Sequence, residues 1–210
     1  MARSYSSPRR QGDAERTRAA ILDAAAALFA RDGYAGTTMK SLACEAGVSV
    51  QSVHLAGPKA SLLIAAYERA FAGDEGNHSL SERPALVEIM SDPDSLRAVS
   101  AWLDYVSDAN ARSGRLMRAM TAAAETDAAA AEALADLNAR RRSDLRIAAD
   151  WIVGRELSKR EDQAHLADEL DHLVGPESYA FFVLHCRWSG RHYRQWLDRG
   201  LHAILNPRHP

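Results

Sequence analysis

Residues Thr38 to Ala56, TMKSLACEAGVSVQSVHLA, contain two short helix-forming segments on either side of a glycine. Thr38 can cap the first segment, which is expected to end at Ala46, and Ser49 can cap the second. Gly47 supplies the positive φ that a tight turn between two helices requires. The pattern therefore predicts a helix-turn-helix.

The second short helix is expected to leave one side free when its apolar side packs on the preceding helices. It is short and has small side chains, so it can enter a major groove of DNA. Gln51 can present a bidentate amide to adenine, and Val50 offers a methyl contact to thymine. Hydroxyls and amides at helix N-termini suit phosphate, and basic residues add charge. The predicted DNA-binding residues are Arg9, Arg10, Thr38, Lys40, Ser49, Val50, Gln51, Ser52, His54 and Lys59.

Helices are also predicted on both sides of this motif. An apolar stripe at helical spacing predicts a helix from Asp13 to Arg31, and Gly33 is expected to end it. Pro58 suits the first turn of a fourth helix that runs to about Ala72. Residues 1–12 are polar and are predicted to form a flexible basic arm that either reaches DNA or stays in solvent. The predicted DNA-binding domain therefore spans residues 13–72.

The same region resembles the DNA-binding domain of the tetracycline-repressor (TetR) family. The matching positions are Ile21 to Ala25, Leu28 to Tyr34, Thr37 to Ala43, Ala46 to Ser49, Lys59, and Leu62 with Leu63. Turn glycines, caps and core positions agree together over roughly residues 15–72. The resemblance implies an operator DNA partner, a homodimer, a small-molecule pocket in the second domain, and no enzymatic activity.

The chain departs from the family pattern in two places. His54 stands where the family usually has an aromatic residue. The segment from Leu55 to Lys59 lacks the aromatic residue that usually precedes the fourth helix, and it is one residue shorter.

Composition and charge fit this interpretation. The net charge is −2, but residues 1–72 hold nine basic and six acidic side chains, which favours a phosphate partner at that end. Cys44 and Cys186 lie far apart, which argues against a disulfide framework or a zinc site. No apolar run is long enough to span a bilayer, and no signal peptide is evident. A cytoplasmic protein without membrane partner, cofactor, metal or catalytic residues is expected.

Residues 73–210 are predicted to form a helical domain for ligand binding and dimerisation. The expected breaks between its longer helices fall at Gly114, Gly154, Gly175 and Ser189. The histidines at positions 165 and 172 share a helix face with Asp168, and they are expected to be solvated rather than metal-bound. The fold class is thus all-α, with an N-terminal helix-turn-helix domain and a C-terminal helical bundle.

Arg141 interrupts an apolar seam in the predicted helix 128–155, where a buried guanidinium needs a partner. One interpretation pairs it with Glu125 or Asp104. The other places it in a pocket, where it meets an acidic or carbonyl-bearing ligand. The predicted pocket residues are Trp102, Tyr105, Met117, Met120, Arg141 and Trp151.

Two apolar stripes near the C-terminus predict the dimer contact, because adjacent stripes doubled by a two-fold axis close into a four-helix bundle. The predicted interface residues are Tyr179, Phe182, Val183, Cys186, Tyr193, Trp196, Leu197 and Leu201.

These patterns favour a ligand-responsive repressor that binds a palindromic operator as a homodimer, with an unknown small-molecule effector. Two alternatives stay open from the sequence. One is a constitutive DNA-binding regulator without a physiological ligand. The other is a small-molecule-binding protein or enzyme whose helix-turn-helix is vestigial.

Overall fold

The computed structural model describes residues 8–73, 82–158 and 163–206, and this part of the chain is helical without a strand. The all-α prediction is confirmed. Within the same ranges, no helix combines the length and apolar character needed to cross a membrane. The helices are α1 (Pro8–Gly36), α2 (Met39–Ala46), α3 (Val50–Ala56), α4 (Lys59–Ala72), α5 (Pro84–Ser91), α6 (Ser95–Ala124), α7 (Ala128–Gly154), α8 (Gln163–Val174), α9 (Pro176–Tyr179) and α10 (Gly190–Leu205). Helix α9 continues directly into a π-helical turn (Ala180–His185).

Helices α1 to α4 form the head of the molecule, and their caps follow the sequence signals. Thr38 caps α2 in a reciprocal capping box with Ser41, and Gly47 ends α2 in the left-handed conformation with φ 66°. Ser49 caps α3 by accepting from the backbone N–H of Ser52. The predicted helix-turn-helix geometry is therefore confirmed.

Helix α1 begins earlier than predicted. It begins at Pro8, which suits a first helical turn, and not at Asp13. Residues 8–12 of the predicted arm are thus helical, whereas residues 1–7 lie outside the described part. At the other end Gly33 adopts φ 72° and ψ −178°, which is not helical, so the regular helix is interrupted at Gly33 as predicted and only residues 34–36 follow the kink.

The predicted break at Gly114 is wrong, because α6 runs unbroken through it for 30 residues. The ring of Tyr179 packs directly on this glycine: a Cβ there would lie 2.7 Å from Tyr179 Cδ1. Gly114 therefore leaves space on α6 for the ring of Tyr179. This ring belongs to the C-terminal part of the body, and the body is defined here as helices α5 to α10. A helix of this length extends about 45 Å.

Helix α6 contributes to two separate cores. Its C-terminal half, with Leu116, Met117 and Met120, is buried in the core of the head. Its N-terminal half, with Trp102 and Leu103, is buried in the core of the body. One rigid helix therefore connects the packing of the head to that of the body.

A Gly114→Ala substitution is expected to destabilise the protein by about 1–3 kcal/mol, because the new methyl group overpacks the Tyr179 contact. The matched control is Gly154→Ala, where a Cβ would meet nothing within 4 Å. The control is expected to change stability by less than about 1 kcal/mol. Urea denaturation of both variants measures the difference, and equal stabilities would contradict the close packing of Tyr179 on Gly114.

Candidate functional site

The exposed side of α3 is the first candidate site. Val53 is fully buried and fixes the helix on the head, while Val50, Gln51 and His54 are exposed. The apolar side thus packs inward and the predicted reading side faces solvent.

Hydroxyl groups around α3 already serve as caps. Ser52 is half-buried, and its Oγ lies 2.8 Å from the Oγ of Ser49. Thr38 accepts a backbone hydrogen bond from Ser41, and Lys40 is exposed one residue into α2. Ser49 and Thr38 thus hold the two short helices in place, and Lys40 projects from the same motif. Arg9 and Arg10 belong to the first turn of α1, but their side chains lie outside the described residues.

Lys59 is placed differently from the other predicted DNA contacts. Its ammonium group lies 4.1 Å from the centre of the Tyr34 ring, a cation–π contact. Partial burial lowers the pKa of Lys59, and the carboxylate of Asp127 opposes this effect. The Tyr34 hydroxyl in turn donates a 2.5 Å hydrogen bond to Asp127. The N-terminus of α4 is thereby linked to Asp127, the residue that caps α7 in the body.

The shortened connection between α3 and α4 is accommodated by Gly57, which adopts φ 137°. Arg18 of α1 donates to the carbonyl oxygen of Ala56 at the end of α3. The shorter segment therefore leaves α3 capped and held against α1.

Sequence analysis missed Leu55 as a member of the exposed side of α3. Its side chain is 82% exposed, the largest fraction among the exposed large apolar residues of the described chain. Leu55 lies four residues after Gln51, so the two share a helix face. This spacing was the available signal, and it adds an apolar group beside the predicted base-reading amide.

The second candidate site is a cavity in the body. Its atom-free space is about 650 Å³ including the mouth, but only about 60 Å³ is wide enough for the centre of a water molecule. Four predicted pocket residues line it: Trp102, Tyr105, Arg141 and Trp151. Phe71 from α4 of the head also lines it, which the sequence did not indicate.

Met117 and Met120 do not line this cavity. Both are buried in the core shared by the head and the end of α6. The sequence placed them in the pocket on a helix separated from that of Trp102 by the predicted break at Gly114. Helix α6 is long enough, however, to place its two ends in different cores.

Arg141 lines the cavity and is also paired. Its Nε lies 2.9 Å from Asp171 Oδ1, and its two terminal nitrogens lie 3.3 and 3.5 Å from the Glu177 carboxylate. The predicted partners Glu125 and Asp104 are wrong, since Asp104 instead accepts from Arg194. Burial raises the pKa of Asp171, against the opposing charge of Arg141.

The predicted dimer residues fall into two groups. Tyr179, Tyr193, Leu197 and Leu201 are buried within the protomer, so they belong to its own core and not to its surface. Phe182, Val183 and Trp196 are half-buried, and Cys186 is exposed. Phe181, which the sequence did not single out, is 55% exposed and packs edge-to-face on Phe182.

Histidines on α8 form no recognisable metal site. His165, Asp168 and His172 are all exposed. Across residues 8–73, 82–158 and 163–206, no group of three potential ligands is positioned to hold a metal ion.

Comparisons with known proteins address the head first. Residues 21–56 match the family model described as bacterial regulatory proteins of the tetR family. The match runs from Ile21 in α1 through the kink and the turn to the end of α3. The predicted resemblance to the TetR family is confirmed over these residues.

Two solved structures have folds similar to that of the whole chain. One is a candidate transcriptional regulator from Pseudomonas aeruginosa PAO1, with a TM-score of 0.67 and 17% identity over 96% of this chain and 93% of that one. The other is a candidate TetR-family regulator from Mesorhizobium loti MAFF303099, with a TM-score of 0.67 and 19% identity over 91% of this chain and 96% of that one. No curated protein matches the sequence. The chain thus shares the overall fold of these two structures.

Proposed function

We propose that this TetR-like protein is a ligand-responsive transcriptional repressor that binds a palindromic operator as a homodimer in the cytoplasm. The observation that carries the proposal is α6, which lines the cavity with Trp102 and Asn110 and is buried in the head through Met120. A ligand in the cavity therefore contacts the same rigid helix on which the DNA-binding head is packed.

Operator recognition is assigned to the exposed side of α3. Gln51 offers a bidentate donor and acceptor pair for adenine, and Val50 and Leu55 offer apolar contacts to thymine methyl groups. Lys40 supplies charge for phosphate. Lys59 is already placed over the Tyr34 ring, so its main contribution is to hold the start of α4.

Dimerisation is assigned to the surface of the π-helical turn and α10 that contains Phe181. One helix-turn-helix covers too little surface for specific affinity, whereas two heads on a two-fold axis read two half-sites. The rings of Phe182, Trp188 and Trp196 stack behind Phe181, with centroid separations of 4.3 and 4.5 Å from Phe182. This aromatic cluster provides the rigid apolar surface that a stable interface needs.

Induction is assigned to movement of the head relative to the body. The cavity walls include Phe71 of α4, and Arg112 of α6 donates to the carbonyl oxygens of Ala70 and Phe71. A ligand that separates Trp102 from Phe71 therefore shifts α4 against α6. In a dimer this changes the distance between the two α3 helices, which must match half-sites about 34–36 Å apart.

The Gln51→Ala variant is expected to lose about 1–3 kcal/mol of operator affinity at a single base position and to relax the preference there. The matched variant Lys40→Ala should weaken binding to every sequence alike and lower the salt slope by about one. Gel-shift titrations on DNA upstream of the protein's own coding region, with each base pair varied, measure both effects. If Gln51→Ala keeps its affinity and preference, α3 is not the reading helix.

The Phe181→Glu variant is expected to dissociate the dimer, because it places an uncompensated charge in an apolar interface. Val87→Glu is the control, since Val87 is a similarly exposed apolar residue on α5. Analytical ultracentrifugation should show a monomer for the first and a dimer for the second. A dimeric Phe181→Glu protein with native secondary structure would move the interface elsewhere.

Effector and operator binding are expected to oppose each other by about 1–3 kcal/mol. The coupling must be reciprocal, so operator DNA should weaken effector binding by the same factor that the effector weakens operator binding. Calorimetry of an effector with and without operator DNA measures it. Equal affinities in the two titrations would favour a constitutive regulator over an inducible one.

A further inference from the structure

The walls of the body cavity include four aromatic residues. Phe71, Trp102, Tyr105 and Trp151 line it together with aliphatic side chains. Flat aromatic walls favour flat apolar ligands, and their faces also attract cations. One such contact already exists at the edge of the cavity, where the Arg155 guanidinium lies 4.9 Å from the centre of the Trp151 ring.

Asn110 offers an unused hydrogen-bond acceptor in this cavity wall. The residue is fully buried, and its Nδ2 donates a 2.8 Å bond to the carbonyl oxygen of Val174. This bond fixes which end of the amide is oxygen. Its Oδ1 has no hydrogen-bond partner within the described structure.

The neighbouring Tyr193 does not satisfy this oxygen. The Ser178 hydroxyl donates to the carbonyl oxygens of Leu173 and Gly175. The 2.8 Å contact between Ser178 and Tyr193 therefore uses the single proton of the tyrosine hydroxyl. A buried acceptor without a donor is unfavourable, so a ligand that brings an N–H or O–H group to Asn110 gains affinity by satisfying it.

The charge around the cavity is negative and not positive. Arg141 is the cationic residue of the described lining, and Asp171 and Glu177 already hold it. Arg141, Arg142 and Arg155 at the cavity edge are three cations, against four carboxylates in this region: Asp144, Asp168, Asp171 and Glu177. Helix α8 also ends at Val174 on the cavity wall, and a helix C-terminus carries partial negative charge. An anionic ligand therefore meets more carboxylates than cations among these described groups.

Building on the proposed ligand response, we infer that the cavity binds flat apolar amines, whose protonated nitrogen donates to Asn110 Oδ1 while the ring system lies between Trp102 and Trp151. This reverses the ligand charge expected from Arg141 alone. The Arg141 guanidinium links α7 to the α8–α9 connection through its ion pairs with Asp171 and Glu177. These carboxylates make the region favourable for a cation.

The test compares three probes with one ring system and different charge: naphthylmethylamine, naphthylmethanol and naphthoate. Calorimetry on the full-length protein is expected to show the amine binding about tenfold more tightly than the alcohol, with naphthoate weakest. Naphthoate binding as tightly as the amine would overturn the inference. Absence of binding by all three probes would overturn it as well.

Two variants test where and why the amine binds. Ile147→Trp places a bulky ring at the partly exposed wall of the cavity and should abolish binding, with the thermal midpoint reporting that the fold is intact. Glu177→Gln removes an exposed carboxylate and should reduce the preference for amine over alcohol about threefold. Its control is Glu132→Gln, an exposed change on α7 about 13 Å along the helix from Arg141, which should leave the preference unchanged. Unaltered amine binding in Ile147→Trp would overturn the inference.

A gel shift with the same probes separates this inference from the proposed function. If the amine binds in the cavity without changing operator affinity, the ligand class stands and the proposed induction fails. If naphthoate but not the amine releases the operator, induction stands and the ligand class is overturned.

Discussion

The structure depends on one close approach, between Gly114 and the ring of Tyr179. Without a side chain at position 114, α9 can pack against α6 at the point where α6 leaves the body core and enters the head core. The helix stays unbroken there because its hydrogen-bond ladder does not require a Cβ. Head and body are consequently joined by a continuous helix as well as by the chain connection after α4.

The head could be predicted almost completely, because its signals are local. Thr38, Gly47 and Ser49 act through their own backbone or that of residues within three positions, so a sequence window contains all the groups involved. The same holds for the buried side of α3, which is fixed by Val53. Prediction was less exact at Pro8, where the helix begins earlier than the apolar stripe indicates, since a solvated helical turn needs no apolar residue.

The body was harder to predict because its decisive contacts are distant in sequence. Gly114 was expected to break a helix, although its role is set by Tyr179, and nothing near Gly114 in sequence reveals that ring. The stripe of Tyr193, Leu197 and Leu201 shows that α10 has an apolar side, but it does not show what covers that side. In the structure the covering groups come from the same protomer, and the exposed aromatic group is Phe181.

Arg141 illustrates the same limit for the candidate site. The sequence offered a pocket position for Arg141 as one of two interpretations, since an arginine in an apolar seam needs a reason to be there. It could not indicate whether the charges around Arg141 are mainly negative or positive. The partners Asp171 and Glu177 follow about 30 residues later in the sequence, on other helices. The chemistry of the cavity is thus set by the partners of Arg141 rather than by Arg141 itself.

The small size of the cavity has a mechanical consequence. Binding sites for drug-sized ligands usually enclose about 300–1,000 Å³, whereas the part of this cavity open to a water-sized sphere is about 60 Å³. An aromatic ligand must therefore move a wall.

Because packed cores switch between discrete arrangements and do not deform continuously, the movement is transmitted along the helices that carry the walls. Those helices are α4 to α9, and α4 and α6 are packed in the core of the head. An aromatic pair contributes about 0.5–1.5 kcal/mol beyond its buried area. Loss or gain of one or two such contacts therefore changes the free energy difference between the two arrangements by an amount of the size that moderate allosteric coupling needs.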